Sequence, residues 1–230
     1  TRLAAGLGDE QTLKLYEAML ADTAWSAGQL PQCQCLGALV GLPADGSAPR
    51  DPVGRAPYAP FVFSEQQGEE FGDRLGAAME LAVEAASGPA LLTGADSPEI
   101  STSLLERAFN ALADYDVVIG PAMDGGYYLI GMRTYHPTLF QDIAWSTETV
   151  ADETEAAARA LGLTHTRLEE LSDLDYLEDL RNLAARRRDA WEEGAVSPCP
   201  ATDEWLRGDL PGQDGIPPNL TEGGTDDPVQ

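Results

Sequence analysis

Three acidic residues stand where an alternating chain of strands and helices would present them to a ligand: Asp96, Asp124 and Asp175. Asp96 comes two residues after Gly94, at the end of the short apolar run Pro89-Ala90-Leu91-Leu92-Thr93. Such a run is brief and apolar, as a central parallel strand would be. Asp124 lies in Met123-Asp124-Gly125-Gly126, after Asp116-Val117-Val118-Ile119-Gly120, and Asp175 follows a strand expected at 163–168. In open α/β sheets ligands bind beyond the carboxyl ends of the strands, so the three carboxylates are expected along one edge. Two carboxylates and the phosphates of a substrate are the usual shell of Mg²⁺. The competing reading makes Asp96 a turn residue before Ser97-Pro98, or a helix cap.

The other polar candidates fit phosphate better than nucleophilic chemistry. Arg2 and Arg74 supply guanidinium groups, which read phosphate bidentately, although Arg74 can equally pair with Glu70 one helical turn away. Gly94, Gly125 and Gly126 let a backbone come close to a ligand, or simply make tight turns. There is no GxGxxG and no Walker A sequence, which removes the usual dinucleotide and P-loop readings. Neither His136 nor His165 has a triad partner in sequence; they read as a surface loop residue and a packed strand residue. Trp145, Ser146 and Thr147 either close over an acceptor or form a helix N-cap with a packed Trp.

The elements that must hold these residues alternate. Helices are expected from Asp9 to about Trp25, with Leu13, Tyr16, Ala18, Leu20 and Thr23 on the apolar side, then over residues leading to Ser87, 102–113, 148–161 and 175–191. Strands are expected at 35–42, 61–63, 90–94, 116–120, 127–131 and 163–168. That order predicts a three-layer α/β/α sandwich with a mostly parallel sheet over residues 1–193. Residues 43–60 hold five prolines and read as a long loop. From Gly194 to Gln230 prolines, glycines and acids dominate, which predicts a tail unable to bury enough surface to order itself, flexible or draped over the domain.

Bulk properties exclude several partners. The 230 residues carry a formal net charge of −25, with Lys14 the only lysine. Nucleic acid and anionic membranes both require cationic surface, so neither is expected as a partner. An acid excess of this size points to a halophilic, salt-adapted protein. No run of 18 apolar residues and no signal peptide is visible, and Cys33, Cys35 and Cys199 form no metal or disulfide pattern, which together predict a cytoplasmic location.

Six motifs in order resemble a known family. They are Thr1-Arg2-Leu3 with Gly6-Leu7-Gly8; Gln67-Gly68 with Gly72 and Arg74; Thr93-Gly94-Ala95-Asp96-Ser97-Pro98; Gly120-Pro121-Ala122-Met123-Asp124-Gly125-Gly126-Tyr127-Tyr128-Leu129-Ile130-Gly131; Trp145-Ser146-Thr147; and Asp173-Leu174-Asp175 before Glu178-Asp179-Leu180. The set resembles the glycosyltransferase-A-like family called radical SAM/selenodomain-associated transferases, a domain of unknown function. That family is related to the guanylyltransferases of molybdopterin and phospholactate. The resemblance covers about residues 1–185 and implies a nucleotide-diphospho-sugar transferase fold. It implies that Asp96 and Asp175 hold Mg²⁺ or Mn²⁺, and that Arg2 and Gly6 lie in a nucleotide-phosphate loop. Gln67, Gly68 and Arg74 would contact the nucleotide as well. Family members carry a strand and a lysine before Thr-Arg-Leu, so the chain is expected to be a fragment or a processed form. Asp96-Ser97-Pro98 stands for the family's Asp-Cys-Pro, and Asp175-Tyr176-Leu177 lacks the proline of its Asp-Thr-Pro.

The reading is a Mg²⁺-dependent transferase that moves a glycosyl group from a nucleotide sugar to a small-molecule acceptor. Asp96 and Asp124 serve the reacting groups, and Asp124, Gly125 and Gly126 line the acceptor side. One alternative is a nucleotidyltransferase using a nucleoside triphosphate and a small phosphorylated acceptor. The other is a non-catalytic nucleotide-binding module.

Overall fold

The computed structural model of the chain describes residues 2–41 and 57–208. Most of the proline-rich loop expected at 43–60, and the last part of the expected tail, lie outside the described residues. A short helix α1 (Ala4–Leu7) leads into α2 (Asp9–Gly28), followed by β1 (Cys35–Leu39) and β2 (Phe61–Glu65). Then come α3 (Phe71–Ala86), β3 (Ala90–Thr93), α4 (Thr102–Ala111), β4 (Val117–Pro121) and β5 (Tyr127–Met132). The chain continues with α5 (Val150–Ala160), β6 (His165–Arg167), α6 (Leu177–Glu192) and α7 (Pro200–Gly208). Local chemistry marks the starts. Ser101 caps α4 by accepting from the Leu104 amide at 3.2 Å. Asp179 in the first turn of α6 accepts from the amides of Asp175 and Tyr176 at 3.1 and 2.7 Å, occupying donors that the helix itself leaves unpaired.

The strands form two sheets, β1-β2 and β3-β5-β4-β6. In the larger sheet β3, β4 and β6 run the same way, and β5 alone is reversed. The reversal is what a tight turn after β4 dictates, since parallel neighbours need a long crossover. Strand β4 is buried along its whole length. Val117 and Ile119 join Ile130 and Met132 in a cluster with Met79 of α3 and with Ala151 and Ala158 of α5. Val118 and Leu129 point the other way, onto Leu104, Leu105 and Ala108 of α4. This period-two alternation gives a sheet with helices on both faces, the α/β/α sandwich expected. Helix α3 meets the sheet side through glycine: a side chain at Gly72 would strike the Trp145 indole and the Phe140 carbonyl, at 2.5 and 2.6 Å.

One expectation about a strand and two about helices differ from the structure. The run at 90–93, expected as a central parallel strand, is the end strand β3, paired antiparallel with β5. Residues 200–208 are not a tail but a helix whose Ala201, Thr202, Asp203, Trp205 and Leu206 are buried. They share a core with Leu15, Ala18 and Met19 of α2 and Leu180 and Leu183 of α6. The buried side of α2 therefore runs along Leu15, Ala18, Met19 and Asp22, and Leu13 and Tyr16, expected inside, are exposed at 59% and 49%. The physical reason is the same for both helices. The stripe on α2 is interrupted by an acid, Asp22, which accepts from the Ala201 and Thr202 amides at 2.7 and 2.8 Å and so caps α7.

Candidate functional site

Backbone hydrogen bonds draw the segment after β6 along the carboxyl edge of the larger sheet. The Leu168 amide donates to Ile119, Leu171 to Pro121, and Leu174 to the carbonyl of Asp96, the last at 3.0 Å. Met123 in turn donates to the Leu171 carbonyl at 3.0 Å. The segment 171–175 is thereby pinned between the β4–β5 turn and the end of β3. Three separate strand ends deliver acids to that place: Asp96 after β3, Asp124 after β4, and Asp173 with Asp175 after β6.

Each acid has a local device. A side chain at Gly94 would come within 2.7 Å of an Asp96 carboxylate oxygen, so glycine leaves the room in which that carboxylate lies. Asp124 Oδ1 accepts from the Gly126 amide at 2.8 Å, an Asx turn that fixes the tip of the β4–β5 turn. Asp175 accepts from the Arg2 guanidinium at 2.8 Å, and the same guanidinium lies 5.4 Å from the Tyr176 ring centre.

The electrostatics are those of crowded like charges. Burial raises the Asp173 carboxyl to about 6, with the charges of Asp124, Asp175 and Asp96 adding to the effect. Asp96 keeps an accessible surface but is crowded by protein atoms. That crowding raises its pKa first, the charges of Asp175 and Asp124 raise it further, and its own amide offsets part. Tyr16 of α2 also reaches this place: its phenol is raised by burial and then by the Asp96 charge. The site thus holds four carboxylates, one guanidinium and the hydroxyl of a half-exposed tyrosine.

The structure brings together Asp96, Asp124, Asp175, Gly94, Gly126 and Arg2. The other candidates make contacts of their own. Gln67 donates to the Glu65 carbonyl and Arg74 to the Glu69 carbonyl, so both side chains are tied to the loop between β2 and α3. Gly68, at φ +118°, packs against Asp73 and Arg74. Gly6 faces the Leu177 side chain at 3.2 Å. Gly125, at φ +89°, has the Glu148 backbone where a Cβ would stand, so no side chain fits there. Trp145 is half-buried against Phe71 and Tyr127, at ring separations of 5.2 and 6.3 Å, rather than poised over the acids. Asp173 and Tyr16 are the members that sequence reasoning left out. The pair Asp173-x-Asp175 was the available signal, since two acids at i and i+2 on an extended segment share a side. Tyr16 had none, because it reads as one more apolar residue of a helix.

A divalent cation can be tested against this donor set. Carboxylate oxygens are the right ligands for Mg²⁺ or Mn²⁺. No three His, Cys, Asp or Glu side chains among the described residues lie close enough to hold a metal together. The residues therefore fit a cation held through one or two carboxylates and completed by substrate oxygens and water, and do not fit a closed protein cage.

The fold is that of the nucleotide-diphospho-sugar transferases. The crystal structure of a "putative nucleotide-diphospho-sugar transferase" from Desulfovibrio desulfuricans G20 superposes with a TM-score of 0.72 at 27% identity, covering 88% of this chain and 87% of that one. Residues 34–147 match the family described as "Uncharacterized protein conserved in bacteria (DUF2064)". No functionally curated protein matches the chain. None of the helices among the described residues is long and apolar enough to cross a membrane.

Proposed function

We propose that the chain is a transferase that binds a nucleotide sugar at the acidic sheet edge and passes its glycosyl group to a small-molecule acceptor. The observation that carries this reading is the convergence of Asp96, Asp124, Asp173 and Asp175 from three strand ends of a transferase fold, crowded enough to raise Asp173 to about 6. Four acids gathered at one ligand-binding edge oppose one another unless a cation joins them. Asp96 and Asp175 are the ligands proposed for that cation, with Asp173 beside them. Mg²⁺ or Mn²⁺ there would neutralise the charge of a diphosphate leaving group. The chain's own work is to hold the donor in line and keep the acceptor close, which is where most catalysis of phosphate departure lies. Arg2 is the guanidinium for the phosphates, and Asp124, accessible at the tip of its turn, faces the acceptor.

The experiment is a panel of nucleoside diphosphates and nucleotide sugars in a thermal-shift assay, with and without Mg²⁺, followed by measurement of nucleoside diphosphate release. The reading expects Mg²⁺-dependent stabilisation by diphosphates and slow release from one nucleotide sugar. Pyrophosphate release from a nucleoside triphosphate would mark nucleotidyl transfer instead, and no response to any nucleotide would contradict both.

A further inference from the structure

The acidic edge already contains a cation, and it belongs to the protein. Arg2 Nη1 stands 2.8 Å from Asp175 Oδ2, and its guanidinium also lies over Tyr176 at 5.4 Å. Tyr176 is itself fixed, because its amide donates to Asp179 at 2.7 Å. The pair is half-exposed, at 62% and 49% of the side-chain surface, so it can open without unfolding anything. Asp175 directly follows Leu174, whose amide donates to the Asp96 carbonyl at 3.0 Å, so the pair sits beside the end of β3 where Asp96 stands.

We propose that Arg2 is a built-in placeholder for the divalent cation: it occupies Asp175 until nucleotide arrives, keeps metal alone from binding well, and is drawn away by the phosphates of the arriving nucleotide. This rests on the function proposed above and adds an order to it. The contact takes up only Oδ2 of Asp175, so the competition is one of charge: a guanidinium cannot give up its proton, and its positive charge beside Asp175 opposes a second cation there. Phosphate offers the same guanidinium a bidentate partner of higher charge. Nucleotide binding therefore releases a ligand for the metal, in addition to bringing ligands of its own. Metal and nucleotide should be strongly coupled, and by linkage each should raise the affinity of the other equally. The Tyr176 ring makes Arg2 rather than lysine suited to the task, since a planar guanidinium stacks where an ammonium does not.

The test is calorimetric titration of Mn²⁺ into the parent, Arg2→Gln and the double variant Arg2→Gln/Asp175→Asn, each with and without nucleoside diphosphate, in about 0.5 M KCl so that distant surface charge is screened. Arg2→Gln should bind Mn²⁺ alone at least about fivefold more tightly than the parent, a factor at the lower end of ordinary coupling. It should bind nucleotide more weakly, and the coupling between the two should fall. Adding Asp175→Asn should remove the gain, which locates it at that carboxylate. If Arg2→Gln binds Mn²⁺ alone no better than the parent, the placeholder is overturned, whether or not the parent binds metal with nucleotide. If Arg2→Gln gains Mn²⁺ affinity while no variant binds any nucleotide, the occupancy of Asp175 by Arg2 stands, while its release by nucleotide falls together with the transferase reading.

Discussion

Two clusters of buried or crowded aspartates lie among the described residues, and they are built on opposite plans. Beneath α7, Asp203 accepts from Arg187 at 2.9 and 3.0 Å and from the Trp191 indole at 2.8 Å. Asp22 accepts two backbone amides of the same helix. Every oxygen there has a donor, and both acids are almost wholly buried. At the sheet edge, Asp96, Asp124, Asp173 and Asp175 have each other, one exposed arginine and a few backbone amides. The first cluster is finished without a ligand; the second is not. Residue type is the same in both, so what separates a structural aspartate from a site aspartate is whether the fold supplies its donors.

The sharpest way to break that contrast is to unpair the finished cluster. Burial pushes Asp203 up, but the Arg187, Trp191 and Ser197 hydrogen bonds outweigh it and hold the carboxyl below the ordinary range. Arg187→Ala leaves that carboxylate buried without its cation and is expected to cost about 3–5 kcal/mol. The urea midpoint should fall accordingly, and ending the chain at Gly194 should do at least as much damage. An unchanged midpoint would show that α7 is held on the surface only loosely.

The helix beneath that prediction was the part of the fold least legible in the sequence. The alternation of strands and helices through residue 192 could be read from apolar runs and turn residues, because β3, β4 and β5 are plain apolar segments between Gly, Pro and Asp. Residues 194–208 carry Pro198, Pro200 and two acids, which is the composition of a disordered segment. What docks them is a polar network in which Asp22 and Arg187 are far away in sequence, and no periodicity reports such a contact. At the candidate site, position at strand ends was enough to single out Asp96, Asp124 and Asp175. It could not separate Asp173 from a turn residue, nor tell that Gly125 answers to the Glu148 backbone.

A second, smaller effect concerns pH. Burial raises Asp22 to about 6, against the amides that favour its charged form. A carboxyl raised in the folded state binds more protons folded than unfolded between its two pKa values, so stability falls as pH rises from about 4 to about 6. Asp22→Asn cannot ionise; it keeps an oxygen for one of the two α7 amides and sets its own NH2 against the other, so it lowers stability at every pH. It should flatten stability over that window by up to about 3 kcal/mol, which denaturation at pH 4.5 and 7 would show. A slope in the variant equal to that of the parent would assign the pH dependence elsewhere.

Salt should act more weakly and on the other cluster. With a net charge of −25 and an edge of crowded acids, raising KCl toward 1 M shortens the Debye length to about 3 Å and relieves repulsion. The melting temperature should rise steadily with KCl, and Asp96→Asn should shallow that rise slightly. A flat or falling melting curve would mean that the acids are already neutralised within the fold.

The central claim is that the unfinished cluster is unfinished for a ligand, and Asp96→Asn tests it most directly. The substitution keeps shape and removes one of the crowded charges, so the melting temperature without ligand should stay the same or rise slightly. Calorimetric titration of UDP, GDP and CDP with Mg²⁺ should show binding of at least one nucleotide to the parent and to the exposed control Asp114→Asn, and none to Asp96→Asn. Equal nucleotide binding by Asp96→Asn and the parent would make Asp96 a turn residue and contradict the account.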